Sequence, residues 1–302
     1  MPVVTDTDIG LSEAISRTLQ YYAWFSYPLQ AAEIRRNCGM ACSEEEMRHH
    51  LSILQEQGEV YSLNGYFSPS ADIEALVERR ILGNDRALKD IRRARIIGRL
   101  IYHAPFVRFV GISGSLSKGY SDQHTDFDYF IITQKDRLWI SRTLLHLFKK
   151  LTFIVGQQHK FCMNYFLDES ALTLEERNIY TATELSSMIP VCGAGPYRRL
   201  IEANSWVRHF LPNYRGDEQA PIKDKGSLIK SLFSALISVM NPSGLNRFFM
   251  RLTDHKWRRK WARKGYPAED YNLAFKTTLH ISKNHPANYQ KRILEALSRK
   301  DT

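Results

Sequence analysis

Two short apolar runs, residues 106–112 (Phe-Val-Arg-Phe-Val-Gly-Ile) and 127–133 (Phe-Asp-Tyr-Phe-Ile-Ile-Thr), read as β-strands. What joins them limits the fold more than any other feature of this chain. The first run leads into Gly114-Ser115, and Asp126 and Asp128 follow about ten residues later, on the second. A glycine-serine turn after a strand offers unhindered backbone N–H groups and a hydroxyl, a donor set that suits a phosphate. Side chains at i and i+2 of a strand share a face, so Asp126 and Asp128 are expected side by side. Neighbouring carboxylates repel, and such a pair usually serves to hold a hard cation. Lys118 lies inside the loop and can reach a phosphate; a solvated lysine is the alternative. A phosphate turn facing a cation platform is the layout of a phosphoryl-transfer site.

The rest of the chain divides around this stretch. Residues 1–80 read as three helices (11–25, 29–37, 44–57) and a hairpin, the order of a winged helix. Ser43 and Glu46 form a capping box, Met47, Leu51 and Leu54 share a helix face, and Asn64-Gly65 suits a type I′ turn. An Arg-rich helical linker is expected over 81–104, within a helix running 73–102, and a core over 105–170. That core adds a helix at 137–155 and a third strand at 160–167. Residues 171–302 read as helical and basic, broken at Pro190, Pro212, Pro221, Pro242 and Pro267.

The pattern Gly114-Ser115, a loop, then Asp126-Phe127-Asp128 resembles the DNA polymerase β-like nucleotidyltransferase superfamily. The resemblance implies an α+β fold: a mixed sheet with flanking helices, here with an N-terminal winged-helix module and a helical C-terminal region. It also implies an enzyme that moves a nucleoside monophosphate from an NTP, with ATP the first choice, to an acceptor hydroxyl and releases pyrophosphate. Gly114 and Ser115 would hold the phosphates, and Asp126 and Asp128 would ligate Mg²⁺, or Mn²⁺ in its place. The superfamily supplies a third carboxylate from a later strand. Asn164 stands on the 160–167 strand instead, able to offer a cation its carbonyl but unable to act as a base. Around Asn164, Glu184 and Asn204 the chain looks like a bacterial subgroup of the same superfamily. The alternative is a winged-helix DNA-binding or nucleotide-sensing protein with a degraded core.

Charge bears on the partner. Residues 1–80 carry 6 Lys and Arg against 12 Asp and Glu, a net of −6, whereas residues 221–302 carry 17 against 6, a net of +11. The basic end suggests a polyanionic partner: nucleic acid, nucleotide phosphates or acidic lipid. The acidic opening argues against duplex DNA, because phosphate contacts supply most non-specific DNA affinity. The acceptor stays open between a small molecule, RNA and protein. In the run 255–264, Trp257 and Trp261 are expected to pack inward beneath solvated cations, with base stacking as the alternative. Arg142 is a further phosphate candidate, and Lys283 to Pro286 reads as a helix end and turn. Cys38, Cys42, His49 and His50 have too loose a spacing for zinc. Four cysteines make no disulfide framework, the first residues show no signal-peptide pattern, and the apolar run 232–240 is far below the roughly 20 residues of a membrane span. A cytoplasmic location is expected.

Overall fold

A computed structural model describes residues 10–152, 160–216, 228–239 and 241–298. The readings made for the first nine residues, and for the last turn of the helix expected over 137–155, lie outside these. The protein is a mixed α+β chain with one small and one larger sheet.

The N-terminal part runs α1 (Leu11–Ala23), β1 (Leu29–Gln30), α2 (Ala31–Asn37), α3 (Glu44–Glu56), β2 (Tyr61–Leu63) and β3 (Tyr66–Ser68). Local chemistry explains its joints. The Ser43 hydroxyl accepts from the Glu46 N–H at 3.1 Å, and the Glu46 carboxylate accepts from the Ser43 N–H at 2.8 Å, which opens α3. Asn64 and Gly65 both have positive φ, 51° and 78°, so β2 and β3 close as an antiparallel hairpin. β1 adds to β3, giving the order β1-β3-β2. Met47, Leu51 and Leu54 pack with Ile15, Leu19 and Ile34 in a core of their own.

α4 (Ile73–Tyr102) comes next, read from sequence as partly linker. It lies against the larger sheet. Its buried stripe includes the small residues Gly83, Ala87, Ala94 and Gly98 beside Val77, Arg80, Asp90 and Ile101. A methyl group on Gly83 would meet the Tyr120 ring at 2.3 Å, so this close approach needs glycine. The Ala94 carbonyl accepts a 3.0 Å bond from the buried Tyr129 hydroxyl.

The larger sheet contains β4 (Val107–Ser113), β5 (Asp128–Thr133), β6 (Cys162–Asp168), β7 (Ile189–Cys192) and β8 (Ile281–Lys283), in the order β7-β4-β5-β6-β8. Only β5 and β6 run parallel, joined through α6 (Leu138–Thr152); β4 is antiparallel to β5 and β7, and β6 to β8. A four-residue α5 (Gly114–Ser117) follows β4.

The remaining helices are α7 (Ile179–Ser187), α8 (Ala194–Ala203), α9 (Val207–Phe210), α10 (Leu228–Ser238), α11 (Pro242–Arg263), α12 (Ala268–Ala274) and α13 (Tyr289–Ser298). α4, α6 and α11 cover the sheet face that carries Val110, Tyr129 and Ile131. α7, α8 and α9 cover the opposite face, with Phe109, Phe130 and Ile132.

Two expectations are corrected. Both edge strands come from the region read as helical, and Lys283, read as part of a helix end, belongs to β8. Strands of four and three residues show no period that a sequence can reveal; pairing with β4 and β6 creates them.

Candidate functional site

The site lies where β4 ends and β5 and β6 begin. Antiparallel register sets Ser113 opposite Asp128, which brings the residue after Ser113 against the aspartate. That residue is Gly114, in the left-handed region at φ 69°; a Cβ there would lie 2.5 Å from Asp128 Oδ2. The exposed Ser115 begins the turn, and Ser117 donates to the Gly114 carbonyl at 2.8 Å. The ten residues to Asp128 are pinned at several points. The Ser121 hydroxyl donates to Asp90 of α4 at 2.7 Å, and Asp122 accepts from the His124 N–H and the Thr125 hydroxyl, both at 2.9 Å.

Asp126 does not lie on the strand, as the alternation had implied, but two residues ahead of it. Its charge still acts on Asp128, raising that carboxyl's proton affinity. Pairing of β5 with β6 slips between Tyr129 and Phe130, and Asn164 is the residue left over. Such a bulge re-aims a side chain: Asn164 Nδ2 donates to Asp128 Oδ1 at 2.7 Å, while its Oδ1 accepts from the Cys162 thiol at 3.3 Å. Lys118 turns back to donate to the Gly114 carbonyl at 3.3 Å and pairs with Glu184 of α7 at 2.6 Å. Gly114, Lys118, Asp128 and Asn164 thus meet at one point, with Ser115 next in the chain and the charge of Asp126 acting on Asp128.

The N-terminal part buttresses this turn. The Tyr27 hydroxyl donates to the Lys118 carbonyl at 2.8 Å, the Tyr27 ring meets Tyr120 edge-on, and Arg80 lies 4.2 Å from the Tyr27 ring centre. Glu184 is the site residue whose role the sequence left unread. Its signal in the sequence was the subgroup resemblance around Asn164, Glu184 and Asn204, which attached no role to it. Arg142 is not at the turn: its guanidinium is buried 4.6 Å from the Trp257 ring centre and 5.5 Å from that of Trp139. Trp257 and Trp261 pack inward on Phe275.

Electrostatics marks Asp128 out. Its half-buried carboxyl is pushed up to about 7, chiefly by burial, then by the charges of Asp126 and Glu184. An unfolded aspartate titrates near 4, so between those values the folded chain keeps a proton that the unfolded chain has lost. The associated stability is complete below about pH 4 and is lost as pH rises through about 7. In a chelator, Asp128→Asn should therefore raise the melting temperature by a few degrees at about pH 8 and by less at about pH 5. A pH-independent gain in thermal melts would contradict this assignment.

Two oxygen-donor carboxylates that repel in this way fit a hard cation, whose charge would relieve them. A separate Asp136, Asp168 and His280 group sits at the far end of β5 and β6. Its buried Asp168 already accepts from the Asp136 N–H, the Ser170 N–H and His280 Nδ1, at 2.9, 2.9 and 2.7 Å. That group fastens the sheet end.

Two spaces lie near this turn, one touching Thr125 and Phe127 and the other Ser113 and Glu184. A groove of about 740 Å³ runs between α4 and residues 122–127, lined by Arg86, Lys89, Arg93 and Lys160 and also by Asp85, Asp90 and Asp122. On the α7 side a narrow cavity of about 70 Å³ is lined in part by Ser113, Tyr165, Glu184, Lys283 and His285. No protein-family model, no curated protein and no solved structure matches the chain.

Proposed function

We propose that this chain is a nucleotidyltransferase with a polymerase β-like core and a winged-helix-like N-terminal module. The observation that carries the reading is the close approach of Gly114 to Asp128 across the β4–β5 register, beside Asp126 and an exposed Ser115. The turn from Gly114 to Ser117 would bind the triphosphate through backbone N–H groups and the Ser115 hydroxyl. Lys118 would add a cation once a phosphate competes with Glu184 for its ammonium. Asp126 and Asp128 would hold Mg²⁺ or Mn²⁺, which offsets charge on the transferred group and aligns the reacting oxygens. The charged groove beside Thr125 and Phe127 would receive the acceptor, whose hydroxyl displaces pyrophosphate from the α-phosphorus.

The experiment is direct. The purified chain is incubated with each α-labelled NTP, Mg²⁺ and a cell extract, and both label transfer and pyrophosphate are followed. Metal-dependent transfer is expected, with ATP the leading donor. Binding of NTP without transfer under every condition would favour the second reading, a nucleotide sensor. One observation speaks for that reading: Asn164 stands beside Asp128 where a third carboxylate would provide a base. Asn164→Asp separates the two. It raises transfer if the site lacks only an acid, and changes nothing if the core has lost transfer altogether.

A further inference from the structure

The outer side of α10 is its apolar side. The helix rests on the protein through Lys230, whose ammonium is 3.6 Å from the Tyr102 ring centre, and Ser234, whose hydroxyl accepts from the Phe106 N–H. Facing away are Leu232, Leu236 and, just past the helix, Val239, which are 72, 64 and 84% exposed. α11 follows directly and exposes Phe248 and Leu252, one turn apart. α6 is tied to α11 by the Trp139 N–H, which donates to Asn246 at 2.8 Å, and it exposes Leu147 and Leu151 in the same one-turn spacing. Solvent-facing apolar rows on three adjoining helices exceed the scattered leucines of an ordinary surface.

The charges around these rows have one sign. Residues 228–264 hold nine Lys and Arg and a single acid, Asp254; residues 91–102 of α4 hold four arginines and no acid. A second copy of the chain is a poor occupant, because a two-fold interface would set these cations against themselves. Nucleic acid would use the cations and stack on Phe233 and Phe248, which are 52 and 58% exposed, but leaves the more numerous leucines and Val239 without a partner. A bilayer with anionic headgroups satisfies both, taking aliphatic side chains at the acyl boundary and Arg and Lys at the phosphates. No helix among the described residues is long and apolar enough to cross a membrane, so the contact lies in the interface.

We propose that α10, together with the exposed rows of α11 and α6, docks this protein on the surface of an anionic phospholipid bilayer. The proposal is independent of the chemistry at Asp128. The test is co-sedimentation of the full chain with vesicles of phosphatidylcholine alone or with about one quarter phosphatidylglycerol. Partitioning at least about 10-fold stronger onto the anionic vesicles is expected, falling as salt is raised. Leu232→Asp with Leu236→Asp should weaken it about 10-fold, and Arg247→Glu with Arg251→Glu by a similar factor, with the melting temperature kept. Should the double aspartate variant melt early, Val239→Asp alone, outside the helix, gives the same readout.

No binding to anionic vesicles, or binding indifferent to the aspartates, overturns the proposal. So does a lipid-free dimer that the aspartates dissociate, which would make a second copy the occupant. Single-stranded RNA that displaces the vesicles and binds the aspartate variant undiminished would identify a nucleic-acid surface instead.

Discussion

Asp128→Asn is expected to reduce nucleotidyl transfer by about 10³-fold, and Asp126→Asn by a similar factor, the scale seen when one charge-stabilising group is removed from an active site. Each change keeps the side chain's shape and removes one negative charge. What is lost is affinity for the cation and the oxygens that would orient it. Folding should not suffer: Asp128 is held above its ordinary range by burial and by Asp126 and Glu184, so neutralising it relieves repulsion. The measurement is pyrophosphate release against Mg²⁺ concentration, beside thermal melts of the same samples. Activity lost with the melting temperature kept assigns the loss to the site. Full metal-dependent transfer by both variants would sink the proposed function.

Gly114→Ala is expected to cost about 10²-fold in transfer and about 1–3 kcal/mol in stability. Two effects combine. Alanine is strained at φ 69°, and its methyl would sit 2.5 Å from Asp128 Oδ2, so the carboxylate must move or the turn must open. Gly119 supplies an internal control five residues on. It also has positive φ, 78°, but a Cβ there meets nothing nearer than the Tyr27 hydroxyl at 3.8 Å. Gly119→Ala should therefore show the backbone cost, about 1 kcal/mol, and keep most of the activity. Denaturant melts and initial rates on the two variants separate strain from contact. Equal effects at both positions would mean that the approach of Gly114 to Asp128 has no functional consequence.

Much of the site's local framework was legible because it depends on short-range chemistry. The runs around Val110 and Ile131 declare strands by composition, Gly114 punctuates the first, and the spacing to Asp128 follows from counting. The capping box at Ser43 and the turn at Asn64-Gly65 were readable for the same reason, since each is settled by side chains within three residues. The inward packing of Trp257 and Trp261 came from a four-residue spacing on one helix.

Other features have no local cause. Asn164 was visible as an amide on a strand, but its aim at Asp128 comes from a slip in the β5–β6 register, a property of two strands joined through α6. Glu184 reaches Lys118 across 66 residues because α7 packs on the Phe130 face of the sheet. Arg142 looked like a phosphate ligand by position on its helix, and packing of α6 against α11 enclosed it in rings instead. By itself the sequence determined the strands, the turn and the loop spacing to Asp128, because backbone periodicity and glycine conformation act between neighbours, whereas Asp126 falls ahead of β5. The tertiary structure alone decided which distant side chains share that spacing, and which apolar faces of α6, α10 and α11 stay in solvent. Burial and pairing are properties of surfaces brought together, and no run of residues carries them in advance.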